Sequence, residues 1–339
     1  MSTKTNHFIE QLNSYFKQEY SSNTKTVQAG NKDVFEACLD YLEANTAFDF
    51  EQKMTLMDYR VNYNHSLEAA RVGKLKSAAF WLKKANELPV FEEELLQKIV
   101  AVNQMPATAY YLYKEGNYQE AIALLKNTIT LSGELAEKAN IEYMVWGQME
   151  DYINIFRAYC TQKDSVLAIK YAQAILLASL HGIPTPGILE NVSADTLIKA
   201  EIDFVSYATA ESLQRLLRFD DLNLSDIIHQ VFEPLLEIED WSHCRFKNYK
   251  EAIIALKHAT ANQQEIFLET MEQLLPNFYN QPNILQYFLL EESIPFILTQ
   301  TDNRSDELLK SIYTYYKDTL GLTQSAINNS RLNQVTSLN

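Results

Sequence analysis

Turn-forming residues are scarce in this sequence. It contains eight glycines and eight prolines among 339 residues, less than half of the roughly 12% that globular proteins usually contain. A sandwich or barrel of many strands needs turn residues more often than this, so both are excluded. Long helices are therefore expected. An apolar share of 47%, with 22% charged residues, is enough to fill a large core.

Cysteines and long apolar runs are also few. Cys38, Cys160 and Cys244 are an odd number without a C-x-x-C pair, which argues against a disulfide framework or a cysteine-rich zinc site. The longest apolar stretches, such as 172–180, fall far short of the roughly 20 residues that cross a bilayer. The first residues lack the basic and then apolar pattern of a secretory signal. We expect three buried thiols, no membrane association and a cytoplasmic location.

Positive charge is the third deficit. The formal net charge is −15 and no run of five Lys or Arg residues is present. Such a chain repels phosphate backbones, so we expect no nucleic-acid partner.

Catalytic motifs are missing as well. The sequence has no glycine-rich phosphate loop, no G-x-S-x-G and no H-E-x-x-H. It also lacks the Glu-x-x-His pairs of helical di-iron sites. Asp220 and Asp221 come nearest to a magnesium-binding motif, but Leu224 replaces its third acid, and the segment is typical of a turn. The sequence therefore predicts a protein that is not an enzyme, with no cofactor and no metal site.

A recurring pattern dominates what is present. In 110–131, YYLYKEGNYQEAIALLKNTITL, Gly116 stands where a tight turn joins two helices, Tyr118 opens the second helix, and Ala121 allows the two helix backbones to approach. A second copy lies at 65–88, with Gly73 and Ala78 in the same roles. The small residues of all copies, including weaker ones, are Ala37, Ala78, Ala121, Ala168, Ala210 and Ala252.

These copies resemble the tetratricopeptide repeat over residues 30–260, although their steps of 41 to 47 residues exceed the usual 34. Longer steps mean helices about one turn longer each. The resemblance implies an all-α, right-handed α-solenoid of antiparallel helical hairpins, with about 13–14 helices. The helices outside the repeats would cover the apolar faces at its ends.

Apolar periodicity and turn residues predict the individual helices. Ser132 and Ser225 are predicted N-caps, and Pro106 predicts a kink or break in its helix. The predicted helices are 3–20, 33–46, 50–72, 75–88, 91–115, 118–131, 134–162, 165–181, 194–218, 225–241, 247–260, 263–275, 283–299 and 305–319. Neither a helix nor a strand can continue through the segment HGIPTPG at 181–187. We expect an N-terminal helical half over 1–181, a C-terminal half over 188–320 and a polar tail over 321–339.

The resemblance also implies a binding surface, because in tetratricopeptide arrays the first helix of each hairpin lines a concave groove that holds peptides. Cationic and aromatic residues gather at these positions in an otherwise acidic chain, which suits a ligand carrying a carboxylate or phosphate. The implied groove residues are Arg60, Tyr63, Asn64, Tyr110, Tyr113, Asn154, Arg157, Lys199, Trp241 and Arg245.

The expected function is therefore non-catalytic binding of a peptide or protein segment. Three alternatives stay open. One is an all-α enzyme with a buried apolar cavity. Another is a cytosolic peptide-sensing regulator, since the chain resembles in size and repeat length the peptide-pheromone receptors of Gram-positive bacteria. The third is a structural homodimer formed through an apolar patch on helix 283–299.

Overall fold

All regular structure in the described part of the chain is helical. The computed structural model describes residues 3–18, 34–45, 48–138, 144–188, 202–241, 244, 246, 248–299, 303–320 and 330–331. Fourteen helices lie in these ranges and no strand does. The predicted all-α class is confirmed. None of the described helices combines the length and apolar character that crossing a membrane requires.

The chain divides into two compact units, each with its own helix packing. The middle unit spans Ala29–Lys199, and the split unit joins Met1–Gln28 to Ala200–Asn339. The middle unit has seven described helices: α2 (Val34–Asn45), α3 (Phe50–Arg71), α4 (Leu75–Asn86), α5 (Glu94–Glu115), α6 (Tyr118–Lys138), α7 (Met144–Thr161) and α8 (Ser165–His181).

Six of these helices form three consecutive hairpins, α3 with α4, α5 with α6, and α7 with α8. Each hairpin turns through one residue in the left-handed region: Gly73 at φ 77°, Gly116 at φ 89° and Lys163 at φ 60°. Each turn has the same pair of backbone hydrogen bonds, one spanning three residues and one spanning five, as in a Schellman motif. The turns predicted at Gly73 and Gly116 are confirmed. The third turn uses lysine where glycine is usual.

The predicted small residues follow these turns at constant spacing. Ala78, Ala121 and Ala168 each come five residues after the left-handed residue, and each is at most 1% exposed. Around Ala78, the rings of Tyr110 and Tyr111 from α5 pack against Ala69 and Ala70 of α3. The small side chains of the hairpin α3–α4 therefore leave room for aromatic side chains of the next hairpin to pack against it.

Helix α6 runs two turns further than predicted. Ser132 is a buried residue inside it and not an N-cap. A Cβ at Gly133 would lie 2.9 Å from Nε2 of Gln148 on α7, and this amide donates to the carbonyl of Ile129 at 2.7 Å. Close packing by α7 thus stabilises the helix through a glycine that lies between two predicted helices. Helix α5 likewise continues through Pro106, so of the predicted kink or break, a break is not found. Packing against α3, α4 and α6 offsets the hydrogen bond that proline cannot donate.

The split unit contains seven described helices. Two of them are composite. Helix α10 consists of an α-helical turn, Leu224–Ile227, a π-helical turn, Ile228–Phe232, and a second α-helical turn, Glu233–Leu236. Helix α12 consists of an α-helix, Gln264–Leu274, followed by a 3₁₀ segment, Leu275–Asn280. The other five are α1 (Thr3–Gln18), α9 (Ile202–Leu216), α11 (Tyr249–Thr260), α13 (Asn283–Leu298) and α14 (Asn303–Asp318). The side chain of Asn223, and not that of Ser225, caps α10.

Three expectations change in the split unit. Helix α1 packs against α12 and α14, so residues 3–18 do not belong with the predicted N-terminal half. Ala252 lies in the first helix of the hairpin α11–α12, and the tight turn follows this helix at Asn262, φ 57°. The predicted pattern places Ala252 in the second helix of a hairpin, after a turn; a left-handed residue, Asn248 at φ 66°, does stand directly before α11. Ala210 lies in the second half of α9, so the position five residues before it, where the other copies turn, is itself helical.

The apolar helix α13 is a core element. Leu289 and Leu290 are fully buried, because α9, α11 and α14 all pack against this helix. The exposed apolar patch proposed for a homodimer is therefore absent from the described part of α13. The predicted helix end before HGIPTPG is confirmed, with Gly182 as the left-handed cap of α8. The region 189–201 and most of the tail 321–339 lie outside the described residues.

Candidate functional site

The turn ends of α5 and α7 meet in the middle unit. The hydroxyl of Tyr113 on α5 lies 2.7 Å from Oγ1 of Thr161 on α7. Close by, Nε2 of Gln119 donates to Oε1 of Gln162 at 2.9 Å. Two consecutive hairpins are thus joined at their turns, and this contact places the predicted tyrosines beside the last turns of α7.

Three tyrosine rings and a lysine cluster at this end of α5. The rings of Tyr110 and Tyr113 are stacked with centroids 6.1 Å apart, and Tyr118 meets Tyr113 edge to face at 5.6 Å. The ammonium group of Lys114 lies 5.6 Å from the centroid of Tyr110, within the range of a cation–π interaction. All three rings are half-buried, so they keep exposed edges on which a ligand can pack.

One face of α7 carries polar groups next to these rings. A guanidinium nitrogen of Arg157 donates to Oδ1 of Asn154 at 2.8 Å and lies 3.3 Å from Oε1 of Glu150. Thr161 donates to the carbonyl of Arg157 at 3.0 Å. The Arg157 side chain is 22% exposed, so its carboxylate partner can be exchanged. We call Tyr110, Tyr113, Lys114, Arg157 and Thr161 the tyrosine–arginine surface.

The turn geometry shows that the predicted residues occupy equivalent positions. Tyr110 and Arg157 each lie six residues before the left-handed residue of their hairpin. Asn64 and Asn154 each lie nine residues before theirs. In each of the three hairpins, residues implied by the resemblance therefore lie on the same face of the first helix.

The predicted residues of α3 divide between surface and core. Asn64 is exposed and Arg60 half-buried, on one face of the helix. Tyr63 is 2% exposed, its ring stacks on Tyr59 at 5.9 Å, and its hydroxyl has no hydrogen-bond partner within the described part of the chain. The expected groove exposure of Tyr63 is therefore not found; this residue belongs to the core of the middle unit.

Trp241 lies elsewhere, in a cleft of the split unit of about 320 Å³. Its indole N–H donates to the carbonyl of Ile238 at 2.8 Å, and its ring stacks on Tyr249 with centroids 6.3 Å apart. The ammonium group of Lys250 lies 5.7 Å from the indole centroid. The cleft is lined by Trp241, Cys244, Phe246, Asn248, Tyr249, Lys250 and Glu251.

Cys244 is poorly suited to nucleophilic chemistry in this cleft. Burial raises the pKa of its thiol to about 11, so the thiol stays protonated at neutral pH, whereas the thiolate is the nucleophile. The remaining predicted groove residues, Lys199 and Arg245, lie outside the described residues.

Sequence reasoning missed two cations, Lys114 and Lys250, that lie over rings of the predicted residues. Each is one position from a tyrosine, Tyr113 and Tyr249 respectively. The signal was present, but adjacent residues on a helix point in different directions, and only the structure shows which ring each lysine reaches.

Metal ligands do not gather in the described parts of either unit. Over these residues, no group of three or more His, Cys, Asp or Glu side chains could hold a metal ion. No family model, no curated protein and no solved structure matches the chain.

Proposed function

We propose that the middle unit is a non-catalytic, tetratricopeptide-like scaffold that binds an extended peptide or protein segment on its tyrosine–arginine surface. The observation that carries the proposal is the hydrogen bond between Tyr113 and Thr161. It joins the aromatic side of one hairpin to the cationic side of the next. In this proposal the three hairpins are repeats of a right-handed α-solenoid.

The chemistry of the surface favours a ligand with a carboxylate beside an apolar or aromatic side chain. Half-buried tyrosine rings supply large, rigid contact area with a polar tip. Arg157 can form two parallel hydrogen bonds with a carboxylate, while Asn154 supplies an amide for a peptide backbone. Glu150 holds Arg157 in the unbound protein, so a ligand carboxylate has to displace Glu150 from Arg157.

The free cysteines support a cytoplasmic site of action. Cys38, Cys160 and Cys244 are all free thiols, which is the usual state in a reducing compartment.

A peptide-display selection tests the proposal. Random peptides are selected on the wild-type protein, and the affinity of each enriched peptide is measured by isothermal titration calorimetry. We expect enriched peptides to carry Asp, Glu or a free carboxyl terminus next to an aromatic residue. Arg157→Ala should weaken their binding at least tenfold, which is about 1.4 kcal/mol.

Two control variants separate binding from folding. Arg215→Ala removes an arginine of similar exposure, 24%, that pairs with Glu211 in the split unit, and should leave peptide affinity unchanged. Tyr113→Phe keeps the ring and loses the hydrogen bond to Thr161, so it should weaken binding less than Tyr113→Ala does. The proposal is wrong if no peptide is enriched, or if enriched peptides bind Arg157→Ala and Arg215→Ala equally well.

A further inference from the structure

Arg331 is the only charged residue among the last nineteen of the chain, GLTQSAINNSRLNQVTSLN. Its guanidinium forks onto the carboxylate of Glu292, with nitrogen to oxygen distances of 2.7 and 3.0 Å. One of these nitrogens also donates to the backbone carbonyl of Glu291 at 3.3 Å. A fork onto one carboxylate is the most specific geometry that arginine adopts with an acid.

The backbone of the same residue is bound as well. The N–H of Arg331 donates to Oε2 of Glu291 at 2.7 Å, while Oε1 accepts from the hydroxyl of Tyr316 on α14 at 2.8 Å. Glu291 is 6% exposed. Both oxygens of this buried carboxylate are thus used, and one of them depends on the C-terminal segment. Ser330, the preceding residue, is fully buried.

An empty site would leave a buried carboxylate short of a donor. Burial already raises the pKa of Glu291, and the hydrogen bonds from Arg331 and Tyr316 oppose this rise. A buried charge is costly unless it is paired. The carboxylates of Glu291 and Glu292 therefore require two donors from one residue, a backbone N–H for Glu291 and a guanidinium for Glu292.

We propose that Glu291, Glu292 and Tyr316 form an arginine-recognition site for a peptide segment, and that Ser330–Arg331 of the same chain occupies it as an internal ligand. A free peptide with the same chemistry can enter once Ser330–Arg331 has left the site.

A trans-binding experiment tests this site. The probe is a fluorescein-labelled synthetic peptide with the sequence of residues 321–339, followed by fluorescence polarisation. The wild-type chain should bind it weakly, because its own Arg331 fills the site. The full-length Arg331→Ala chain should bind it at least tenfold more tightly. A peptide with alanine in place of Arg331 should not bind, and one with lysine should bind at least tenfold more weakly, because an ammonium cannot fork.

Matched changes in the protein complete the test. In the Arg331→Ala chain, Glu292→Gln should reduce peptide binding at least tenfold, whereas Glu307→Gln, an exposed acid on α14, should not change it. Equal binding of the arginine and alanine peptides would overturn the proposal. So would a wild-type dimer that Arg331→Ala abolishes, since the segment would then dock on a second copy.

Hydrogen exchange gives a second measurement that does not depend on the Arg331→Ala chain folding. In otherwise wild-type protein, Glu292→Gln should accelerate exchange of the Arg331 amide at least tenfold, and Glu307→Gln should leave it unchanged. If Glu292→Gln does not change this exchange rate, Glu292 does not hold the segment.

Discussion

Replacing Ala121 with leucine tests the packing that defines the hairpins. Ala121 is 1% exposed, five residues after the turn at Gly116, where α5 and α6 approach each other. Leucine adds three carbon atoms with no space to receive them. Overpacking of this kind costs about 1–3 kcal/mol. In a unit the size of Ala29–Lys199, each kcal/mol lowers the melting temperature by roughly 2–4 °C, so we expect a decrease of about 2–12 °C.

The same helix supplies the control for this substitution. Ala123 lies two residues further along α6 and is exposed, so Ala123→Leu should stay within about 0.5 kcal/mol of wild type. Thermal unfolding followed by far-ultraviolet circular dichroism measures both variants, and each transition is fitted separately because the chain has two units. Equal effects of the two substitutions would refute the assignment of Ala121 to a close helix contact. Ala210→Leu, at a predicted repeat position that is half-buried inside α9, should cost less than Ala121→Leu.

Three further predictions concern the middle unit. Gly116→Ala should destabilise it by about 1–2 kcal/mol, the cost of the left-handed conformation for a residue with a Cβ. No atom lies within 4 Å of the added Cβ, so a loss above this range in urea unfolding would mean that the strain is not confined to the backbone. Gly133→Ala should perturb the contact between α6 and α7, because its Cβ would meet Gln148 at 2.9 Å; an unchanged melting temperature would contradict this packing. Asp151 is 3% exposed, and burial, together with the charge of Glu150, raises the pKa of its carboxyl well above the usual value of 3.8. Between that value and the raised pKa the folded state binds more protons than the unfolded state, so this group makes stability fall as pH rises through the window. Asp151→Asn should remove part of this fall in urea unfolding as the pH is raised from about 4, whereas Asp58→Asn, at an exposed position, should follow the wild-type profile.

The helices were predictable because their signals are local. The period of apolar residues and the turn residues Gly73, Gly116 and Gly182 place most helix ends within a few residues of those observed. Where the prediction fails, a distant contact intervenes. Gly133 lies between two predicted helices, but inside α6 it packs against Gln148 of α7. Pro106 predicts a kink or break, but α5 continues through it with three helices packed against α5.

The candidate site was predictable in part. The resemblance to tetratricopeptide repeats implied Tyr110, Asn154 and Arg157, and the structure places them on equivalent faces of first helices. The resemblance also implied Tyr63, whose ring is buried against Tyr59. Helical periodicity gives the direction of a side chain around its own helix. It does not say which neighbouring helix covers that direction.

The sequence by itself determined that this chain is helical, where most helices begin and end, and which small residues follow the turns, because propensity, capping and periodicity act over a few neighbouring residues. The tertiary structure alone decided that α1 packs with α12 and α14, that α11 is the first helix of its hairpin, and that Arg331 meets Glu291 and Glu292. Those contacts join residues up to several hundred positions apart, and the free energy that selects them comes from burial and charge pairing in the folded chain, which no local pattern of residues encodes.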